Sequence, residues 1–283
     1  MTSAVTPLVF HGPIIHSRNL EELEILENAT LVIDASGTIT ALKKSEADDT
    51  PTPAVPEGAR VHHLGPGEFL IPGFIDTHNH APQWPMRGIG QGLHILDWLD
   101  QVTFPFEARF ADAAYARATY EDTVADFLRQ GITTASYYSS RHAEGTRILA
   151  DICVEKGQRA LVGKCNMDRN APASLAEPSA AVMDGAAAAK ALTLDEVFYL
   201  ATLGGARVLC LEHHVGSFAV GKQFDASWVA TTSGLRSAMT PREDDDGLRR
   251  IFEKFVMTGD DRNMAHVYVR GRRVAGARHG EAS

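Results

Sequence analysis

Between Glu68 and Met167 the chain alternates strand-like and helix-like segments, and this rhythm restricts it to a small set of folds. The apolar run FLIPGFIDTHNH (Phe69–His80) suits a short buried strand. Asp112–Gln130 has helical spacing and stops at Gly131, a natural helix end. ITTASYYSS (Ile132–Ser140) is β-branched and aromatic, and so predicts a strand. Ala143–Lys156 is helical and ends before Gly157, and RALVGKCNM (Arg159–Met167) returns to strand character. Strand, helix, strand, helix, strand is the order of βα units around a parallel sheet, either with helices on both faces or closed as a barrel.

The flanking regions differ from this. Leu8–Ser17 is apolar and β-branched, and Thr30–Lys44 holds two strand-like runs around Asp34-Ala35-Ser36-Gly37, a hairpin signal. Ser45–Pro66 is polar and proline-rich and reads as loop, with a possible short strand at Val61–Leu64. Arg169–Leu192 is alanine-rich with Pro172 and Pro178, and no strand can be read in it. Thr193 followed by Glu196 is a capping box that opens a helix running through Val208. Val215–Ala230 reads as a turn and a strand, Pro241–Asp246 as an acidic loop and Leu248–Thr258 as a helix. Met264–Gly276 reads as a strand pair around Arg270–Gly271.

Charge excludes some partners. With 27 basic and 36 acidic residues the net charge is −9, which argues against nucleic acid or an anionic membrane as the main partner. Cys153, Cys165 and Cys210 form no CxxC pair and read as reduced thiols. With no secretory leader read at the N-terminus and no long apolar span, the expected location is cytoplasmic.

The chemistry-bearing motif is Asp76-Thr77-His78-Asn79-His80. Residues two apart on a strand share a face, so His78 and His80 present two imidazoles side by side, half of a tetrahedral zinc site or part of a larger divalent-metal site. Isolated His-x-His pairs are common on surfaces. Here the pair ends an apolar run entered through Ile71-Pro72-Gly73, which places it at the end of a barrel-type strand, where such folds carry their chemistry.

PGFIDTHNH resembles the opening barrel strand of the amidohydrolase superfamily. His78–Phe110, Ile132–Asn170 and Leu192–Ala226 resemble guanine deaminases, especially fungal ones, and Gly259–Val274 is similar to that family's closing strands. The resemblance implies an α/β fold: a (β/α)8 barrel, here incomplete, with a small β-sandwich formed from both termini. The expected segments are 1–70 and 216–283 for the sandwich and 71–215 for a partial barrel broken near 171–191. It also implies a zinc cofactor, hydrolysis of guanine to xanthine and ammonia, and a homodimer. His78 and His80 match the first two metal ligands. Gln83 matches a position that contacts the purine, and Trp98 is either a pocket wall or a packed core residue. In the family, zinc lowers the pKa of a bound water to about 7, and a carboxylic acid moves a proton to the leaving ammonia.

Several family elements have no counterpart. The third histidine ligand and the proton-shuttling glutamate come together as Ser-His-x-x-Glu, which this chain lacks, so no catalytic residue is assigned. No Gly-Thr-Asp strand end supplies the later aspartate. The stretch 71–215 is far shorter than the roughly 250 residues of such a barrel. An internal deletion accounts for both absences, whether through a truncated paralogue, a splice form or a mis-spliced reading of the gene. The chain is expected to turn over little guanine and to be prone to aggregate. Alternative readings are an inactive homologue acting at most by binding, and another purine or triazine amidohydrolase.

Other pairs are weaker. His142-Ala143-Glu144 resembles the His-x-Glu of zinc deaminases but lacks their downstream Pro-Cys-x-x-Cys, so it reads as a helix start. His213-His214 reads as an exposed turn, and His62-His63 receives no role. Leu203-Gly204-Gly205 reads as close helix packing, and Cys165 as core.

Overall fold

The computed structural model describes residues 5–44, 51–166, 192–231, 243 and 245–276. The expected break at 171–191 and residues 241, 242 and 244 of the loop at 241–246 lie outside them. The strands are β1 (Leu8–Ser17), β2 (Leu23–Ile33), β3 (Ile39–Lys43), β4 (Arg60–His63), β5 (Glu68–Pro72), β6 (Phe74–His80), β7 (Ile132–Tyr138), β8 (Arg159–Gly163), β9 (Ala226–Ala230), β10 (Met264–Val269) and β11 (Arg272–Ala275). The helices are α1 (Ile95–Trp98), α2 (Phe104–Ala108), α3 (Ala113–Arg129), α4 (Ala143–Lys156), α5 (Leu194–Tyr199), α6 (Gly205–Val208) and α7 (Leu248–Thr258). Two compact units result. One comprises Met1–Asp76, Phe127–Thr134 and Leu192–Ser283, and the other Thr77–Asp126 and Ala135–Ala191.

The first unit is organised by an eight-stranded sheet in the order β11-β10-β9-β5-β1-β2-β3, with β4 beside β1. β5 pairs antiparallel with β9 from Glu68↔Ala230 to Pro72↔Ala226, so strands from distant parts of the chain close one sheet. Its core is aromatic: Phe10 lies 5.3 Å from Phe224 and meets Trp228 and Tyr268 edge-on at 6.0 and 5.9 Å. Such tilted contacts add to the hydrophobic burial. Arg270 and Gly271, both at positive φ, make the tight turn between β10 and β11, as the sequence predicts. A second cluster packs Phe69 of β5 against Phe252 and Phe255 of α7, with Phe198 of α5 4.9 Å from Phe252.

The capping box at Thr193 forms as expected, with the Glu196 amide donating to Thr193 Oγ1 and the Thr193 amide to Glu196 Oε2. The helix it opens is not uniform. A π-turn at Leu200–Gly204 separates α5 from α6, and Gly205 lies directly against Ile75 of β6. The Gly204-Gly205 pair therefore serves close packing, as read from the sequence.

A hydrogen-bond network around a partly buried carboxylate ties the start of the sheet to the loop before β9. Glu24 on β2 accepts from His16 Nε2 at 2.9 Å, Lys44 Nζ at 2.6 Å and Arg18 Nη1 at 3.3 Å. The Phe218 amide donates to His16 Nδ1, which leaves the ring proton on Nε2, facing Glu24. The His16 hydrogen bond, opposed by burial and reinforced by Lys44, holds the Glu24 carboxyl down at about 2, against an ordinary value of 4.5. A depressed carboxylate stabilises the fold above its unfolded-state pKa and loses that contribution as pH falls. Since Arg18 and Lys44 are partly exposed, the contribution is discounted to about 2 kcal/mol. Glu24→Gln is expected to lower stability by that amount at pH 7 in urea unfolding. The gap to the unaltered chain should narrow below pH 4.5 and close near pH 2; an equal gap at pH 7 and pH 3 would refute the linkage.

The smaller sheet runs β6-β7-β8. Helices intervene between successive strands, as connections between parallel neighbours require. α3 occupies Ala113–Arg129 within the expected 112–130, and α4 ends at Gly157 in the left-handed conformation. β8 is shorter than the sequence suggests, ending at Gly163 rather than Met167. Cys165 is half-buried, not core. Among the described residues β8 is the terminal strand of its sheet, and Leu161 on it is exposed.

Candidate functional site

The second unit carries the residues singled out by sequence. β6 ends in His78 and His80, whose rings lie 5.3 Å apart at 51°. The two-residue spacing brings both imidazoles to one face, as expected. His78 is exposed and His80 half-buried. Burial, with the neighbouring His78 adding to it, lowers the His80 pKa from its ordinary value. The neutral imidazole is the form that ligates a metal. Tyr138, at the end of β7, stacks on His80 at 4.8 Å and 15° and meets His78 at 5.1 Å. Sequence reasoning did not select Tyr138; its only signal was its place at the end of the adjacent strand.

After His80 the chain turns through a 3-10 segment, Ala81–Met86, with Ala81 and Pro82 buried. Two carboxylates anchor this segment. Asp126 of α3 accepts from Trp84 Nε1 at 2.9 Å and from Arg87 Nη1 at 3.1 Å, and the Arg87 guanidinium lies 4.6 Å from the centre of the Trp84 ring. Glu107 of α2 accepts from Gln83 Nε2 at 3.1 Å. Glu107 is only 5% exposed, and burial raises its carboxyl pKa while the Gln83 hydrogen bond lowers it. A lone glutamate in the apolar run Phe104-Pro105-Phe106-Glu107 was the available signal for this residue, and it was missed. Nearby, Tyr120 OH pairs with Ser139 Oγ at 3.1 Å.

Trp98 is half-buried at the end of α1, and its Nε1 donates to the Ile89 carbonyl at 3.2 Å. It is therefore not a packed core residue; its indole braces the turn around Gly90.

The weaker candidates stay apart. His142 is the residue before α4, and Glu144 pairs with Arg147 on the surface. His213 and His214 are exposed. His62 stacks on Phe10 at 5.0 Å, a packing role.

A profile of the amidohydrolase family matches residues 69–192 and 179–274. The chain belongs to the amidohydrolase family. It is similar to the probable guanine deaminase of Schizosaccharomyces pombe, 43% identical over 61% of this chain and 33% of that protein. The guanine deaminase of Dictyostelium discoideum is 41% identical over 58% of this chain and 38% of its own length. The matched part thus spans little more than a third of these relatives. The fold is similar to that of the Escherichia coli guanine deaminase structure, with a TM-score of 0.80 at 20% identity, over 96% of this chain and 100% of that one. The α/β fold of the family is therefore present.

A metal centre is expected of this family, so the ligand set matters. Among the described residues, no group of three or more His, Cys, Asp or Glu side chains is placed to hold a metal ion. Two imidazoles alone leave half of a tetrahedral zinc shell unsupplied. The described residues do not fit a catalytic zinc, and no chemical step can be assigned through one.

Among the described residues no helix is long and apolar enough to cross a membrane.

Proposed function

We propose that this chain is a guanine-deaminase-type amidohydrolase that keeps the purine-contacting part of the site and has lost most of its capacity for turnover. In this reading the eight-stranded sheet corresponds to the β-sandwich built from both ends of the chain, and β6-β7-β8 to the opening units of an incomplete (β/α)8 barrel. The substrate of the complete enzyme is guanine and the products are xanthine and ammonia, in a zinc-dependent, cytoplasmic reaction of purine breakdown, with a homodimer as the expected assembly. The observation that carries the reading is Gln83, held by Glu107 three residues after His80. In this reading Gln83 takes the place of the residue that contacts the purine in guanine deaminases. The likeness to the S. pombe protein supports the substrate class. A Clostridium acetobutylicum guanine deaminase of similar fold, TM-score 0.80, is described with guanine bound in its active site.

The expected behaviour is binding without efficient hydrolysis. Calorimetric titration of the intact chain with guanine should show weak saturable binding. Gln83→Ala should weaken it about tenfold, the loss of one hydrogen bond. Equal binding by Gln83→Ala, or binding of an s-triazine in preference to guanine, would overturn the reading.

A further inference from the structure

Glu107 stands out among the buried ionisable groups because its hydrogen-bond partner faces the site while the carboxyl itself does not serve a salt bridge. Its Oε1 accepts from Gln83 Nε2 at 3.1 Å, and the residue is 5% exposed. An ionised carboxylate can only accept, and a carboxyl protonated on Oε2 still accepts at Oε1. The two ends of the Gln83 amide are thereby made inequivalent: the N–H₂ is committed to Glu107, and the carbonyl is not. Gln83 is half-buried, and its Oε1 has no hydrogen-bond donor among the described residues.

We propose that Glu107 is a positioning residue that locks the orientation of the Gln83 amide, so that Gln83 Oε1 is presented as an acceptor to an N–H edge of the purine. This rests on the reading of Gln83 as a purine contact and specifies that the contact is to a ring N–H. A ring offering only acceptor nitrogens there would meet a carbonyl oxygen and be repelled; a ring with an N–H would be bound. A fixed amide discriminates because the wrong partner leaves polar groups unpaired. The burial of Glu107 keeps the carboxyl from following a ligand outwards.

The test uses the full chain with ¹⁵N-glutamine labelling, the Gln83 signal being assigned by its loss in Gln83→Ala. In the unaltered chain the Gln83 side-chain N–H₂ resonances should be displaced from free-glutamine values, with one proton protected from exchange. Glu107→Leu should return them to free values, and Glu107→Gln, whose Oε1 can still accept, should retain the displacement. Glu107→Asp, which shortens the side chain without removing charge, should also lose it, and serves if Glu107→Leu does not fold. Guanine affinity should fall about tenfold in Glu107→Leu and Glu107→Asp and stay within about threefold in Glu107→Gln. In the unaltered chain, 1-methylguanine or 9-methylguanine, each lacking one ring N–H, should bind at least tenfold more weakly than guanine; in Glu107→Leu that preference should fall to about twofold. Gln83 signals unchanged by Glu107→Leu would overturn the proposal, as would a preference for guanine that survives it. If the amide is locked but the unaltered chain binds no guanine, the purine edge is overturned together with the deaminase reading, while the amide restraint itself stands on the resonance data.

Discussion

Supplied with guanine and excess zinc, the purified chain should form xanthine at least about 10⁴-fold more slowly than a complete guanine deaminase such as the S. pombe relative under the same conditions. The magnitude follows from the groups at the site. A positioned general acid or base contributes about 10²–10⁴-fold. The Ser-His-x-x-Glu that brings this group in the family is missing from the sequence. The third metal ligand is lost with it, and the described residues assemble no group of three metal-binding side chains. Either loss is severe, and together they remove both the nucleophile's activation and the proton's path. A coupled assay reading xanthine continuously has the needed range. Turnover near the ordinary enzymatic value of about 10 s⁻¹ would mean that the site is completed in some other way, and would sink this account. Guanine binding without turnover is the combination that distinguishes a retained recognition site from an unrelated chain.

The second large effect concerns Gly73, between β5 and β6. A methyl group there would overlap Thr133 Oγ1 and Cγ2 of β7 and lie 2.7 Å from Thr133 Cβ. Thr133 is fully buried and β-branched, with little rotamer freedom to move aside. The backbone is held on both sides as well: the Gly73 amide donates to the Asp225 carbonyl at 3.1 Å, and the Phe74 amide to the Gly131 carbonyl at 2.9 Å. Gly73→Ala therefore has to push β6 and β7 apart or break these bonds. The expected cost is about 3 kcal/mol, the upper end of overpacking effects. Chemical denaturation should show the midpoint falling accordingly. Thr133→Ala, combined with Gly73→Ala, should recover part of the loss by removing Oγ1 and Cγ2 but not the Cβ contact. A Gly73→Ala chain as stable as the original would show that β6 and β7 are not packed as closely as described. The prediction tests the strand that carries His78 and His80, since its entry point is at Gly73.

Much of this was legible in the amino-acid order. The capping box at Thr193, the helix Leu248–Thr258 and the hairpin at Arg270–Gly271 are local features, set by side chains within a few residues of each other. Their boundaries in the structure follow the pattern closely. The face shared by His78 and His80 is equally local, because the two-residue repeat of a strand places them together whatever surrounds it. The expectation that failed depended on neighbours. Cys165 is half-buried and not core, with β8 the terminal strand of its sheet among the described residues. Of the two readings of Trp98, pocket wall or packed core, its half-burial removes the second. Neither fact is written in the local pattern.

The same division separates what the βα rhythm from Glu68 onward determined from what the tertiary structure decided. Alternating strand and helix periodicities were sufficient for the α/β class, and the two-residue spacing for the face that His78 and His80 share, since periodicity and spacing act at short range; the amidohydrolase family was legible only through the resemblance carried by PGFIDTHNH and the stretches after it. Long-range contacts supplied the rest: β5 pairing with β9 across the chain, Tyr138 stacking on His80, and Glu107 reaching Gln83 twenty-four positions away. These depend on how separate elements meet, and burial gives such meetings their energetic weight. A buried carboxyl must find a partner, and only the folded chain shows that this partner is the amide of Gln83.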